Sequence, residues 1–408
     1  MLKLLGPFSQ ILPMTNLPQK GSISDDQLEI IEKGGIVLEG EVIREVGSYS
    51  TLAEKYQSAE KISVPAESVA IPGLIDCHTH ICFGGSRARD YSLRVAGKPY
   101  QEILKQGGGI YDSVNKTRAA SETELVQGIV ERANRHVNEG VTTIEVKSGY
   151  GLSISEELKM LRAIKEANKK TLADLIPTCL AAHVCPKEAE SPVAWLNEVL
   201  LQLLPKIKEE QLSNRVDIFI EEEAFPAKIA LPYLQKAKEA GFKITAHADQ
   251  FSSKGSKVAV EVGALSADHL ESSDAKGVEL LANSDTVAVA LPGASMGLGM
   301  QYTPARKLLD SGACLAIATD WNPGSAPMGD LLMQAAVLGA AEKLSVAETL
   351  AAITVRSARA LGLSDRGSLE KGKIADILSF DTADYREILY YQGKMKPSQV
   401  WKKGIKVK

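Results

Sequence analysis

Two histidines one residue apart close an apolar run at Asp76-Cys77-His78-Thr79-His80. Successive side chains of an extended segment point to opposite sides, so both imidazoles face the same way, about 7 Å apart along the strand. Two ligands set in this way can grip one metal ion. Three further groups of the same kind end apolar segments: His247 in FKITAHA, His269 in ALSADHL and Asp320 in CLAIATD. Imidazole nitrogen with carboxylate oxygen is a borderline donor set that suits zinc first, with iron or manganese next. A single strand-end histidine is more often structural than a ligand. Five such groups on one face would reverse that judgement, so the decisive question is which elements carry them.

Eight apolar strands, each followed by a longer stretch of helical period, run through the middle of the chain: VAIPGLID, VTTIEV, LIPTCLAA, VDIFIE, FKITAHA, ALSADHL, TVAVALP and CLAIATD. The intervening stretches are amphipathic, as in SEELKMLRAIKEANKK, where Leu158, Leu161, Ile164 and Ala167 share a stripe, and LPYLQKAKEAG, which stops at a cap-like Gly241. Strand and helix in alternation argue for parallel units, and eight units for a closed (β/α)8 barrel. In such a barrel the functional groups sit at the C-terminal strand ends. All five groups fall at those ends and converge on one mouth.

Short β signals remain at the two chain ends, a hairpin in GIVLEGEVIREVG and strands in DILSFD and VWKKGIKVK. They are expected to pair as one small domain, residues 1–68 with 363–408, around a barrel of residues 69–362. The lysines from Lys394 to Lys408 alternate with Val400, Trp401, Ile405 and Val407, which predicts a solvated strand face. Cys77 alternates away from the His pair and, like Cys82, reads as a buried thiol. His136, in ERANRHVNEG, has no strand end and no partner and is expected at the surface. Gly107-Gly108-Gly109 follows no strand and precedes no lysine, so it suggests a lid rather than a phosphate cradle.

Composition narrows the function. Of 408 residues 44% are hydrophobic and 24% charged, the balance of an ordinary globular protein. Lys plus Arg number 47 against 51 for Asp plus Glu, which leaves no basic excess for a nucleic-acid backbone. The most apolar later stretch, Thr286 to Met300, is interrupted by Pro292 and falls short of the roughly 20 residues that span a bilayer. Five scattered cysteines without a CxxC pair read as reduced thiols, and with no signal-peptide pattern at the N-terminus a cytoplasmic protein is expected.

PGLIDCHTH, the later strand-end histidine, SADHLE and ATDWNP together resemble the amidohydrolase superfamily. More narrowly, HTHICFGGSRA, GGGI, TRAAS, EVKSGYGL, LAAHVCP, HADQFS and ATDWNPGSAP are similar to the imidazolonepropionases, and the resemblance covers nearly the whole chain. It implies a distorted TIM barrel with a small β-sandwich built from both chain ends. The implied reaction opens the imidazolone ring of 4-imidazolone-5-propionate in histidine degradation. It also implies one divalent ion, zinc or iron, on His78, His80, His247 and Asp320, with a homodimer as the expected assembly. Branches with two metals use a carboxylated lysine after strand four, where this chain has only Glu221, Glu222 and Glu223. Lys147 follows strand two instead and is expected to form a structural ion pair.

From the same resemblance, His269 orients the attacking water or polarises the carbonyl, and Asp320 accepts a proton. Arg87, Tyr150, His183, Gln250, Asn322, Gly324 and Ser325 become substrate contacts. Arg87 offers a planar fork that matches the propionate. His183 and Gln250 are placed for ring contact and proton relay, and the backbone N–H groups of Gly324 and Ser325 for a carboxylate. The stretch GASMGLGMQYTPARK departs from the usual family form. Two other functions compete. A heterocycle deaminase would carry Glu rather than the neutral Gln250 three residues after His247, and a non-catalytic scaffold would lack ligand residues, all of which are present.

Overall fold

The computed structural model describes residues 2–98, 102 and 105–408. Eight parallel strands follow one another in sequence order around a barrel: Leu74–Asp76, Val141–Lys147, Asp174–Ala182, Arg215–Ile218, Lys243–Ala248, Ser266–His269, Val287–Ala290 and Leu315–Ile317. Their side chains are buried on both faces almost throughout, which is why each reads as a continuous apolar run. The first and last strands meet only beyond their ends, through an isolated bridge between Thr79 and Trp321. That weak seam is the distortion of the barrel.

The helices form where the stripe and the caps agree. Ile154–Ala167 starts at Ser153, whose hydroxyl accepts from Glu156 N, and it buries Leu158, Leu161, Ile164 and Ala167. Ala227–Glu239 stops before Gly241, whose φ of +88° only glycine adopts at little cost.

Both chain ends build the small domain, joined in one mixed eight-stranded sheet. The sequence run Val69–Asp76 is two strands, not one. Val69–Pro72 pairs with Ile377–Phe380 and with Leu2–Ile11 in the small sheet, whereas Leu74–Asp76 enters the barrel. The switch occurs at Gly73, where a Cβ would lie 2.3 Å from Thr142 Oγ1. Lys402 also departs from expectation. Instead of facing solvent it is buried, 2.8 Å from Asp174 and 2.6 Å from Asp376, because those two carboxylates need a cation at the junction of barrel and sheet.

Asp174 also takes Arg366 at 2.7 Å and Lys403 at 2.9 Å. Burial alone would raise its pKa, but Lys402, Lys403 and Arg366 outweigh burial and hold it well below the usual carboxylate range. The stabilisation from this depressed pKa is complete above about pH 3.9, the unfolded value, and is lost as pH falls through the folded value. Asp174→Asn should therefore cost about 1–3 kcal/mol in urea unfolding at pH 7, with the deficit shrinking below pH 3.

Candidate active site at the barrel mouth

His78 and His80 follow strand one, His247 lies in strand five, His269 ends strand six, and Asp320 follows strand eight. Several residues at these strand ends take left-handed backbone: Asp249 (φ +52°), His269 (+88°), Leu270 (+70°) and Asp320 (+51°). Such conformations cost about 1–3 kcal/mol each and persist only where surrounding bonds over-determine them. Here Thr303 Oγ1 donates to His269 O, and Asp320 N donates to His78 O at 3.1 Å.

The predicted ligand atoms converge. His80 Nε2 lies 3.2 Å from His78 Nε2, 3.3 Å from His247 Nε2 and 3.3 Å from Asp320 Oδ1. His78 Nε2 lies 3.6 Å from Asp320 Oδ1, and His269 joins His78 and His247 in an overlapping cluster. Beneath them, His78 Nδ1 is 2.7 Å from Asp268 Oδ2 and His247 Nδ1 is 3.0 Å from Asp217 Oδ2. A carboxylate beside Nδ1 favours the ring proton on that nitrogen and leaves Nε2 to face the other donors. Imidazole nitrogens and a carboxylate oxygen gathered this closely, and buried, are the donor types and spacing of a divalent-ion site, so the donor set fits a metal ion.

Electrostatics agree with that assignment. Burial, reinforced by the Lys147 cation, pushes His78 well below its ordinary pKa and His80 down to about 3. Burial also lowers His247 to about 4, against the opposing pull of Asp217. All three are neutral at pH 7, as ligands must be. At His269 burial is outweighed by Glu271, 3.5 Å away, so its pKa rises, while burial lifts Asp320. His269 thus differs from the three other imidazoles in the direction of its shift.

Asp217, Asp268 and Glu145 were not among the expected site residues. The available signal was an acid within an apolar strand: in VDIFI, SADHL and TIEVK each carboxylate points into the barrel. Lys147 forms the expected ion pair. Its Nζ sits 2.8 Å from Glu145 and from Asp217 and 3.9 Å from Asp268, beneath the ligand cluster. His136 is the plainest correction. It is buried, with Nε2 3.0 Å from Asp76 Oδ2, because Asp76 is a buried carboxylate facing its helix. Cys77 and Cys82 are buried thiols.

Above the predicted ligand residues opens a cavity of about 650 Å³, and every predicted residue lines it except His78, which lies beneath. Arg87 donates from Nε to Asp90 Oδ2 at 2.9 Å, and Asp90 also receives Gly109 N at 2.8 Å. This leaves both terminal nitrogens of Arg87 without a hydrogen bond among the described residues. Tyr150 sits on a loop whose N–H groups at Gly149, Gly151 and Leu152 all donate to Glu157. His183 holds Gly149 O through Nδ1 at 3.1 Å, which turns Nε2 outward.

One expected role is not available. The N–H groups of Gly324 and Ser325 donate to Asn322 Oδ1 at 2.7 and 2.8 Å, because an Asn side chain closes its own turn. They are not free to receive a carboxylate. Gly324 contributes space instead, since a Cβ there would lie 2.2 Å from Arg87 Nη1. Asn322 Nδ2 donates to Asp320 Oδ2 at 2.9 Å. The divergent stretch after strand seven forms the helix Pro292–Leu298, and Leu298 and Met300 add apolar wall beside Phe219 and Phe251. At the glycine run expected as a lid, Gly107 (φ +81°) and Gly109 (φ +82°) take left-handed backbone just before the helix Ile110–Ala119, and Gly109 N is tied to Asp90.

The amidohydrolase family profile matches residues 69–407. Imidazolonepropionases of Bacillus mycoides (strain KBAB4) and Bacillus cereus (strain G9842) are each 40% identical over 380 residues, covering 92% of this chain and 89% of theirs. Among solved structures, an adenosine deaminase from Xanthomonas campestris with bound zinc aligns at a TM-score of 0.69 and 18% identity, over 99% of this chain and 92% of that one. An atrazine chlorohydrolase from Arthrobacter aurescens complexed with zinc reaches 0.71 at 16% identity, over 99% and 94%. Those two likenesses bear on the fold. No described helix is long and apolar enough to cross a membrane. The chain belongs to the amidohydrolase family and, within it, to the imidazolonepropionases.

Proposed function

We propose that this chain hydrolyses 4-imidazolone-5-propionate to N-formimino-L-glutamate, with His78, His80, His247 and Asp320 holding one divalent ion, zinc or iron. The observation that carries the proposal is a single cavity with the clustered Nε2 atoms of His80 and His247 at its floor and an arginine fork on its wall. A divalent ion so held supplies a water that ionises near pH 7, against 15.7 for bulk water.

The residues divide the remaining work. Arg87, braced by Asp90, holds the propionate through its terminal nitrogens. Tyr150 and Asn322 flank the tail, and His183, anchored by Gly149 O, presents Nε2 to the ring. Asp320 accepts the proton of the attacking water, while His269, its pKa raised by Glu271, polarises the carbonyl. Gln250 contributes a neutral amide to ring contact and cannot itself titrate. Breaking the ring C–N bond leaves a new carboxylate and a formimino nitrogen that takes up a proton.

Loss of ring absorbance on mixing with 4-imidazolone-5-propionate tests the activity; no turnover by metal-loaded protein would reject it. Arg87→Ala should reduce kcat/KM by roughly 10- to 150-fold with metal content unchanged, the worth of a charge-assisted contact of about 1.5–3 kcal/mol. Arg87→Lys should recover only part, since an ammonium lacks the planar fork. An unimpaired Ala variant would place the tail elsewhere. The proposal also locates the enzyme in the cytoplasm as a homodimer, and sedimentation at twice the chain mass checks the second point.

A further inference from the structure

The barrel seam needs a device to hold it. Strands one and eight share no ladder, yet they carry His78, His80 and Asp320, so any slip between them would separate three of the four ligand residues. The backbone supplies Asp320 N to His78 O at 3.1 Å and His80 N to Trp321 O at 2.9 Å. Below these bonds sits Asp76, fully buried, two residues before His78. Its Oδ1 accepts Thr319 N at 3.0 Å and its Oδ2 accepts Thr319 Oγ1 at 2.6 Å, one residue before Asp320.

Asp76 is held in turn from outside the barrel. His136, on the helix Glu122–Asn138, brings Nε2 to 3.0 Å from Asp76 Oδ2, and no Lys or Arg pairs with that carboxylate among the described residues. The His136 ring also meets Trp321 edge-on, with centroids 4.7 Å apart. The opposite constraint on Trp321 comes from Arg135, whose guanidinium carbon lies 3.8 Å from the ring centroid, and from Gly329, where a Cβ would strike the indole at 2.3 Å. Thr319 Oγ1 finally accepts Trp321 N at 3.0 Å. One helix therefore grips both sides of the seam, through Asp76 on strand one and Trp321 beyond strand eight.

We infer that His136 and Asp76 are positioning residues, a clasp that fixes the register of the barrel seam and with it the spacing of His78 and His80 from Asp320. The inference rests on the proposed ligand set. The clasp touches neither substrate nor ion, so its effect must appear in how tightly and in what geometry an ion is held. A carboxylate that merely filled a core would affect stability alone.

The test uses cobalt(II) as the probe ion on the full chain, reading its dissociation constant by chelator competition and its visible spectrum as a report of ligand geometry. His136→Phe keeps an aromatic ring against Trp321 but removes the donor to Asp76. It should weaken cobalt binding by about 10- to 100-fold, the usual range for an outer partner of a ligand, and change the spectrum. His136→Gln, which restores an N–H near the position of Nε2, should return binding most of the way to the parent value. Thr319→Val, close in shape but without the hydroxyl, supplies a second route if His136→Phe does not fold, and should shift both readouts in the same direction. Folded His136→Phe and Thr319→Val proteins with the parent's cobalt affinity and spectrum would overturn the clasp, whatever their stability. A parent that binds no cobalt would overturn the ligand set, and the clasp with it.

Discussion

His247→Ala is expected to fold and unfold like the parent protein while losing detectable turnover. His247 stands at the barrel mouth with its Nε2 3.3 Å from that of His80, above a core made by residues deeper in the strands. Truncation leaves three of the four proposed ligand residues and opens the floor of the cavity. Without a bound ion the attacking water keeps a pKa near 15.7 rather than about 7, so hydroxide available at neutral pH falls by roughly eight orders of magnitude. Metal content, circular dichroism and turnover measured on one preparation decide the matter. A variant that keeps its ion and a tenth of the parent rate would remove His247 from the ligand set. One that loses fold together with activity would make the ion structural.

Lys147→Met should cost about 3–5 kcal/mol, the range for breaking a buried ion pair from one side. Lys147 is fully buried, and burial, which would lower its pKa, is outweighed by Asp217, Glu145 and Asp268, so that its pKa is raised and it stays charged. Removing the ammonium leaves three carboxylates near one another, with Arg215, 4.0 Å from Glu145, the remaining cation paired with them among the described residues. At about 1.4 kcal/mol per tenfold, the expected cost shifts the folding equilibrium by two to more than three orders of magnitude. Urea unfolding of metal-free protein reads this directly. Adding Glu145→Gln should recover part of the loss, because the two changes share one network and are not additive. A loss below about 1 kcal/mol in the single variant would mean that the carboxylates are already neutral, and the account of the cluster would fail.

Much of this protein is legible from neighbouring residues. The alternation in DCHTH sets His78 and His80 on one side, and the eight apolar runs with striped helices between them define a barrel with its chemistry at the C-terminal strand ends. Periods of 2 and 3.6 are local properties, imposed by backbone geometry within a few residues. The positions of His247, His269 and Asp320 at strand ends follow from the same patterns.

What only the tertiary structure decided are pairings between residues far apart in sequence. His78 meets Asp268, 190 residues away, and Thr319 meets Asp76, 243 residues away. No local period encodes such a meeting. It depends on how strands wind around the barrel and which of them face each other across its interior. The same reason placed Lys147 among three carboxylates, and brought His136 inward to a buried acid. Asn322 shows the converse at short range. Its side chain takes the two backbone donors that the sequence left open for substrate, because hydrogen bonds within a turn form at less entropic cost than any contact awaiting a ligand.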